Sequence, residues 1–128
     1  MIVVDTSVWI RALRAGASVE ADTLRALLDS DEACLAVPVR IELLTGASRI
    51  DRPRLRRLLS ALPVLYPSDD TWRVIDGWVD VAGASGQRFG FGDLLIGALA
   101  REAGSLVWSL DSEFERMSRL GFVGLYEN

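Results

Sequence analysis

Short apolar runs alternate along the chain with longer segments in which apolar residues recur at helical spacing. The first run, Ile2–Val4, is followed by Asp5, Thr6 and Ser7, residue types that favour a helix N-terminus. Similar runs predict strands at 34–37, 64–66, 105–110 and 122–126. The intervening segments predict helices at about 8–14, 20–28, 38–47, 51–62, 68–83, 93–103 and 112–120, and the glycine-rich stretch 83–92 predicts a loop.

This alternation is typical of a parallel sheet covered by helices on both faces. The chain has 128 residues, of which 50% are hydrophobic, and a formal net charge of −4. These values fit one domain with a single core and exclude a disordered chain. We therefore predict a single α/β domain over residues 1–128, with a central, mostly parallel sheet of four or five strands flanked by helices.

The pattern contains no segment typical of membrane insertion or secretion. The longest charge-free apolar run, 94–100, is shorter than the roughly 18 to 20 residues that a membrane-spanning helix needs. No basic segment precedes an apolar stretch at the N-terminus. Cys34 is the only cysteine, which is typical of a reducing compartment. We predict a cytoplasmic protein without a membrane partner.

Two absent residue types restrict the possible chemistry. The sequence contains no histidine, and all 14 basic residues are arginine, so lysine is also absent. These absences exclude His-dependent nucleophile pairs, H-E-x-x-H zinc sites, Walker A loops and pyridoxal Schiff bases. Enzymatic chemistry would then depend on carboxylates and hydroxyls, whose oxygen atoms suit Mg²⁺ or Mn²⁺.

Four carboxylates occupy positions that need an explanation. Asp5 and Asp111 each follow a predicted strand, so they would share one edge of a parallel sheet if those strands are neighbours. Taken singly, Asp5 and Asp111 are equally well explained as helix-capping residues, and for Asp93, which follows Gly92 at the start of its predicted helix, capping is the stronger explanation. Glu42 lies on a helix with apolar residues nearly all round, which predicts burial and a charged partner; the alternative is an edge position that reaches solvent.

The combination favours a cation. Two carboxylates about 5 Å apart repel each other by roughly 3 kcal/mol at an effective dielectric constant near 20. A domain of this size has a net stability of only about 5–15 kcal/mol. Acids that converge on one edge would therefore require a divalent ion, but their convergence depends on the order of the strands.

The chain resembles the PIN-domain ribonucleases and, within them, the VapC-type toxins of bacterial toxin–antitoxin pairs. Four segments carry this resemblance, in the family's order: IVVDTSVWI at 2–10, VPVRIELLTG at 37–46, FGDLLIGA at 91–98 and LDSEFERM at 110–117. Two positions depart from the family pattern. Glu113 stands where the family often has a second Asp, and the end of that segment lacks the His of some members.

The resemblance implies that Asp5, Glu42, Asp93 and Asp111 are the catalytic residues and hold one or two Mg²⁺ or Mn²⁺ ions, with Ser7 and Glu113 as auxiliary residues. It implies an endoribonuclease toxin that hydrolyses RNA phosphodiester bonds with a metal-activated water. The implied partners are an RNA substrate, a VapB-type antitoxin and a second copy of the chain. The alternative is a catalytically silent PIN-like binding or regulatory module.

A cluster of arginines has two interpretations. Arg49, Arg52, Arg54, Arg56 and Arg57 lie within nine residues. They either contact RNA phosphates or an acidic partner, or form a solvated helix face that balances the surrounding acids.

Overall fold

The structure, a computed structural model, describes residues 1–14 and 16–127, so residues 15 and 128 of the predicted domain lie outside it. Helices and strands alternate along the chain. In order they are β1 (Ile2–Val4), α1 (Thr6–Leu13), α2 (Val19–Asp29), β2 (Ala33–Ala36), α3 (Val37–Gly46), α4 (Arg52–Leu59), β3 (Val64–Leu65), α5 (Asp69–Ala84), α6 (Phe91–Glu102), β4 (Leu106–Trp108) and α7 (Ser112–Arg119).

Four parallel strands form the central sheet, in the order β3-β2-β1-β4. This arrangement confirms the predicted α/β class. β1 lies between β2 and β4, with Val3 opposite both Cys34 and Val107. After β1 the chain adds β2 and β3 on one side of this strand, and it later adds β4 on the other side. A change of direction of this kind opens a crevice at the carboxyl ends of the strands.

Some predicted segments differ from the observed elements. Segment 122–126 contributes only an isolated parallel bridge between Leu125 and Val107, because Phe122 and Val123 pack into the core instead of extending a strand. The loop predicted at 83–92 is shorter, since α5 continues to Ala84 and α6 begins at Phe91. Gly83 and Gly92 of this stretch therefore lie at the ends of α5 and α6.

α6 lies against the sheet and buries seven consecutive residues, Leu94 to Ala100. Gly97 permits this close packing. A Cβ atom built on Gly97 would lie 2.6 Å from Met117 Cε and 3.0 Å from Val123 Cγ1. The short distance between α6 and α7 brings the acidic residues at their N-termini together.

Within residues 1–14 and 16–127, no helix has both the length and the apolar character needed to cross a membrane.

Candidate metal centre

Three carboxyl groups from α6 and α7 meet at the edge of the sheet where β1 and β4 end. One oxygen atom from each of Asp93, Asp111 and Glu113 lies within 4.8 Å of the other two. Asp93 and Glu113 belong to the first turns of α6 and α7, and Asp111 immediately precedes α7. Asp93 and Glu113 are half-buried, and Asp111 is exposed.

Asp5 borders this group from the end of β1. The residue is 5% exposed, and its Oδ2 atom accepts hydrogen bonds from Ser7 Oγ at 2.8 Å and Ser109 Oγ at 2.7 Å. Its backbone N–H donates to Trp108 O at 2.9 Å, so the ends of β1 and β4 are joined. Asp5 occupies the N-cap position of α1, but its side chain makes no capping hydrogen bond. Capping therefore does not explain this buried acid.

The capping alternative holds for only one of the other acids. Asp111 Oδ1 accepts the backbone N–H of Glu113 at 2.9 Å and caps α7. Asp93 is the third residue of α6, whose N-cap is Gly90. The predicted start of this helix at 93 was two residues late.

Glu42 is exposed, so the expectation of a buried carboxylate was wrong. α3 turns Val39, Leu43 and Leu44 toward the core, which leaves Glu42 on the outer side. The residue nevertheless reaches the start of α6, because its Oε1 atom lies 3.6 Å from the position of a Cβ built on Gly92. Glu42 therefore lies at the same end of the molecule as Asp93.

Glu113 connects α7 to the segment before α6. Its Oε1 atom accepts the backbone N–H of Gly90 at 2.7 Å. One turn later, Arg116 donates to Gln87 Oε1 at 3.2 Å and lies 4.8 Å from the centroid of the Phe89 ring. These contacts hold the connection that leads to Asp93.

The electrostatics of the group favour a cation. Burial raises the pKa of Asp93 to about 8, with further contributions from a hydrogen bond with Glu113 and from the charges of Glu113, Asp5 and Asp111. A bound divalent ion would offset this negative charge. The donors are carboxylate oxygens with serine hydroxyls beside them, a set that fits Mg²⁺ or Mn²⁺.

An apolar groove of about 710 Å³ lies between α1, α3 and α4, with Glu42 in its wall. Its larger apolar lining residues are Ile10, Leu13, Leu43, Leu55 and Leu58. Sequence analysis did not predict this groove. The sequence signal is the spacing of Leu55 and Leu58 on one side of α4, and the structure leaves Leu55 half-buried and Leu58 exposed.

The five arginines of the cluster have two different environments in the structure. Arg52 Nε donates to Leu44 O at 3.0 Å and its Nη2 donates to Ala47 O at 3.1 Å, so this residue closes the end of α3. The other four members, Arg49, Arg54, Arg56 and Arg57, are exposed.

Comparisons with known proteins agree with this architecture. The family model for the PIN domain matches residues 2–120. Ribonuclease VapC11 of Mycobacterium tuberculosis is 33% identical over 125 residues, which cover 94% of this chain and 93% of the relative. The chain therefore belongs to the PIN domain family, as its motifs predicted.

Solved structures share the fold. VapBC2 from Rickettsia felis, bound to a promoter DNA fragment, has a TM-score of 0.80 at 18% identity and covers 98% of both chains. A toxin–antitoxin complex from Klebsiella pneumoniae has a TM-score of 0.74 at 17% identity and covers 89% of this chain and 90% of the other.

Proposed function

We propose that this chain is the toxin of a toxin–antitoxin pair and an endoribonuclease that depends on Mg²⁺ or Mn²⁺. The observation that carries the proposal is the meeting of Asp93, Asp111 and Glu113 within 4.8 Å, beside the buried Asp5. The similarity to relatives named VapC ribonucleases supports RNA as the substrate.

Asp5, Glu42, Asp93 and Asp111 would hold the ion, with Glu113 as an auxiliary ligand and Ser7 beside Asp5. When bound, the ion would lower the pKa of a coordinated water and offset charge on the phosphodiester during hydrolysis. The chain's own residues supply the carboxylate oxygens and orient them. A carboxylate at this edge can also accept the proton that the water loses.

Metal binding and RNA cleavage test the proposal in sequence. Mg²⁺ or Mn²⁺ should raise the melting temperature of the wild-type protein relative to EDTA, and should raise that of Asp5→Asn much less. Incubation with a structured RNA pool, followed by end mapping, should identify products with 5′ phosphate and 3′ hydroxyl ends. Equal metal responses in both proteins would contradict a shared ion site. Metal binding without cleavage would instead indicate the silent binding module.

The exposed arginines of α4 and the segment before it contact RNA phosphates in this proposal. Arg54 lines the same groove as Glu42, and Arg49, Arg56 and Arg57 are exposed on α4 or just before it. Reversing both Arg54 and Arg57 to Glu should weaken RNA binding and reduce the slope of log affinity against log salt concentration by roughly 2, because each phosphate contact releases about one counterion. Reversal of Arg25 and Arg119, exposed on α2 and α7, serves as the control. An unchanged slope would mean that Arg54 and Arg57 form a solvated helix face and do not contact RNA phosphates.

The apolar groove takes a segment of a VapB-type antitoxin. The similarity to a toxin–antitoxin complex supports such a partner, and the groove's leucines lie beside Glu42, where a basic side chain of that segment would meet the acids. Leu13→Asp or Leu58→Asp should weaken antitoxin binding in calorimetry by about tenfold or more, since a charge would enter an apolar contact. Val19→Asp on α2, which is 67% exposed outside the groove, should bind normally.

A second copy of the chain covers the aromatic stack of Trp72 and Phe91. These side chains are 42% and 68% exposed, with ring centroids 6.0 Å apart. Val79, two turns after Trp72 on α5, extends the apolar surface. Light scattering should give a dimer mass for the wild type and a monomer mass for Trp72→Ser with Phe91→Ser. Dimerisation of this variant would contradict the assignment of this surface.

A cytoplasmic location is part of the same proposal, because Cys34 is a free, buried thiol, as is typical of proteins in a reducing compartment.

A further inference from the structure

Ser109 completes a hydrogen-bond network around Asp5. Ser7 Oγ accepts the backbone N–H of Leu110 at 3.0 Å, and Ser109 Oγ accepts that of Asp111 at 2.9 Å. Both hydroxyls donate to the same carboxylate oxygen, Asp5 Oδ2. Two backbone amides of the connection between β4 and α7 are therefore linked through two hydroxyls to one buried acid.

The direction of these hydrogen bonds follows from the donor inventory. A serine hydroxyl carries a single proton, and a backbone amide can only donate. Because each hydroxyl accepts from an amide, its own proton is available for Asp5. The 3.3 Å contact between the two hydroxyls then needs no shared proton.

The network leaves the two oxygens of Asp5 unequal. Oδ2 accepts two hydrogen bonds, whereas Oδ1 accepts none from the residues that the structure describes. The same hydroxyls hold Leu110 and Asp111, so the spacing between Asp5 and the acid that follows β4 is set before any ion binds.

We infer that Ser109 is a positioning residue that, together with Ser7, directs the free oxygen of Asp5 toward the ion. This inference rests on the proposed metal-dependent function and extends it to a residue that the motif analysis did not identify. Ser109 acts through Asp5 and the backbone of Asp111. Groups that orient metal ligands typically change metal affinity by 10–100-fold when removed.

Direct titration with Mn²⁺, followed by electron paramagnetic resonance, tests the inference without RNA. Ser109→Ala should bind Mn²⁺ about 10-fold or more weakly than the wild type. Ser109→Thr, which retains the hydroxyl, should restore the affinity to within a few-fold. Ser112→Ala is the matched control, because Ser112 is exposed in the same part of the chain and donates no hydrogen bond within the described residues.

A second readout needs no metal. Amide exchange measured by NMR should accelerate at Asp111 in Ser109→Ala and at Leu110 in Ser7→Ala, because each variant removes that amide's acceptor. Ser7→Ala also provides a second affinity measurement if Ser109→Ala folds poorly.

The outcomes separate this inference from the proposed function. Wild-type affinity in Ser109→Ala, or equal losses in the Ala and Thr variants, would overturn the positioning role while leaving the metal site intact. A wild-type protein that binds no Mn²⁺ would overturn the proposed function and the inference together.

Discussion

The acids from the two halves of the chain share one edge of the sheet under different constraints. In the C-terminal half, Asp93, Asp111 and Glu113 crowd within 4.8 Å, and the pKa of Asp93 rises to about 8. In the N-terminal half, Asp5 is held by two hydroxyls, and Glu42 is exposed. The C-terminal trio therefore concentrates acidic groups. In the N-terminal pair, hydrogen bonds stabilise the carboxylate of Asp5, and water solvates that of Glu42.

This difference separates two effects of substitution. Neutralising a member of the trio changes both ion binding and the stability of the ion-free protein. Neutralising Glu42 should change ion binding alone, because its charge remains in contact with solvent.

The largest expected effect is that of Asp93→Asn. RNA cleavage should fall about 100-fold or more, since loss of several kcal/mol of charge stabilisation corresponds to such a factor. In EDTA the melting temperature should rise, because the folded wild type must keep Asp93 protonated far above its ordinary pKa, a free-energy cost that Asn does not have. Cleavage assays and calorimetric melts check both effects, with Asp76→Asn on the exposed side of α5 as the control. A lower melting temperature in EDTA would contradict crowding in the trio.

Glu42→Gln should reduce cleavage about 10–100-fold but leave the ion-free stability within about 0.5 kcal/mol of the wild type, as is usual for an exposed position. Cleavage rates over a range of Mn²⁺ concentrations and urea unfolding in EDTA measure these quantities. A large loss of stability would mean that Glu42 has a structural role and would remove the contrast with the trio.

The stability of the ion-free protein should depend on pH through Asp93. Its pKa is about 8 in the folded protein, against a reference value of 3.8, so the folded state holds a proton that the unfolded state releases between these values. The unfolding free energy should therefore decrease as the pH rises from about 4 toward 8, and then level off. Urea unfolding in EDTA across this range measures the slope, and Asp93→Asn should flatten it. An unchanged slope in that variant would assign the effect to other groups.

Glu113→Gln should produce the smallest effect. Its amide oxygen can still accept the N–H of Gly90, while the negative charge beside Asp93 disappears. The pKa of Asp93 should fall, so the decrease in stability should level off at a lower pH than in the wild type. The same unfolding series detects this shift. A wild-type profile would show that Glu113 does not interact with Asp93 strongly enough to influence its protonation.

The local pattern of the chain predicts most of the elements because each element buries nearby apolar side chains. The apolar residues of β1 and of α6 predict the burial that the structure shows. The motifs around Asp5, Glu42, Asp93 and Asp111 also identify the family and the candidate acids. The predicted strand at 122–126 failed because packing of Phe122 and Val123 outweighed strand pairing.

The sequence by itself determined the alternation of strands and helices, the absence of His and Lys chemistry and the identity of the candidate acids, because these depend on residue type and short-range spacing. Only the tertiary structure decided that β1 lies beside β4, that Glu42 faces outward and that Ser109, 104 residues from Asp5, donates to its carboxylate. These features depend on which distant segments pack together. The free energy of that packing is a sum over contacts throughout the fold, so no single segment of the sequence predicts it.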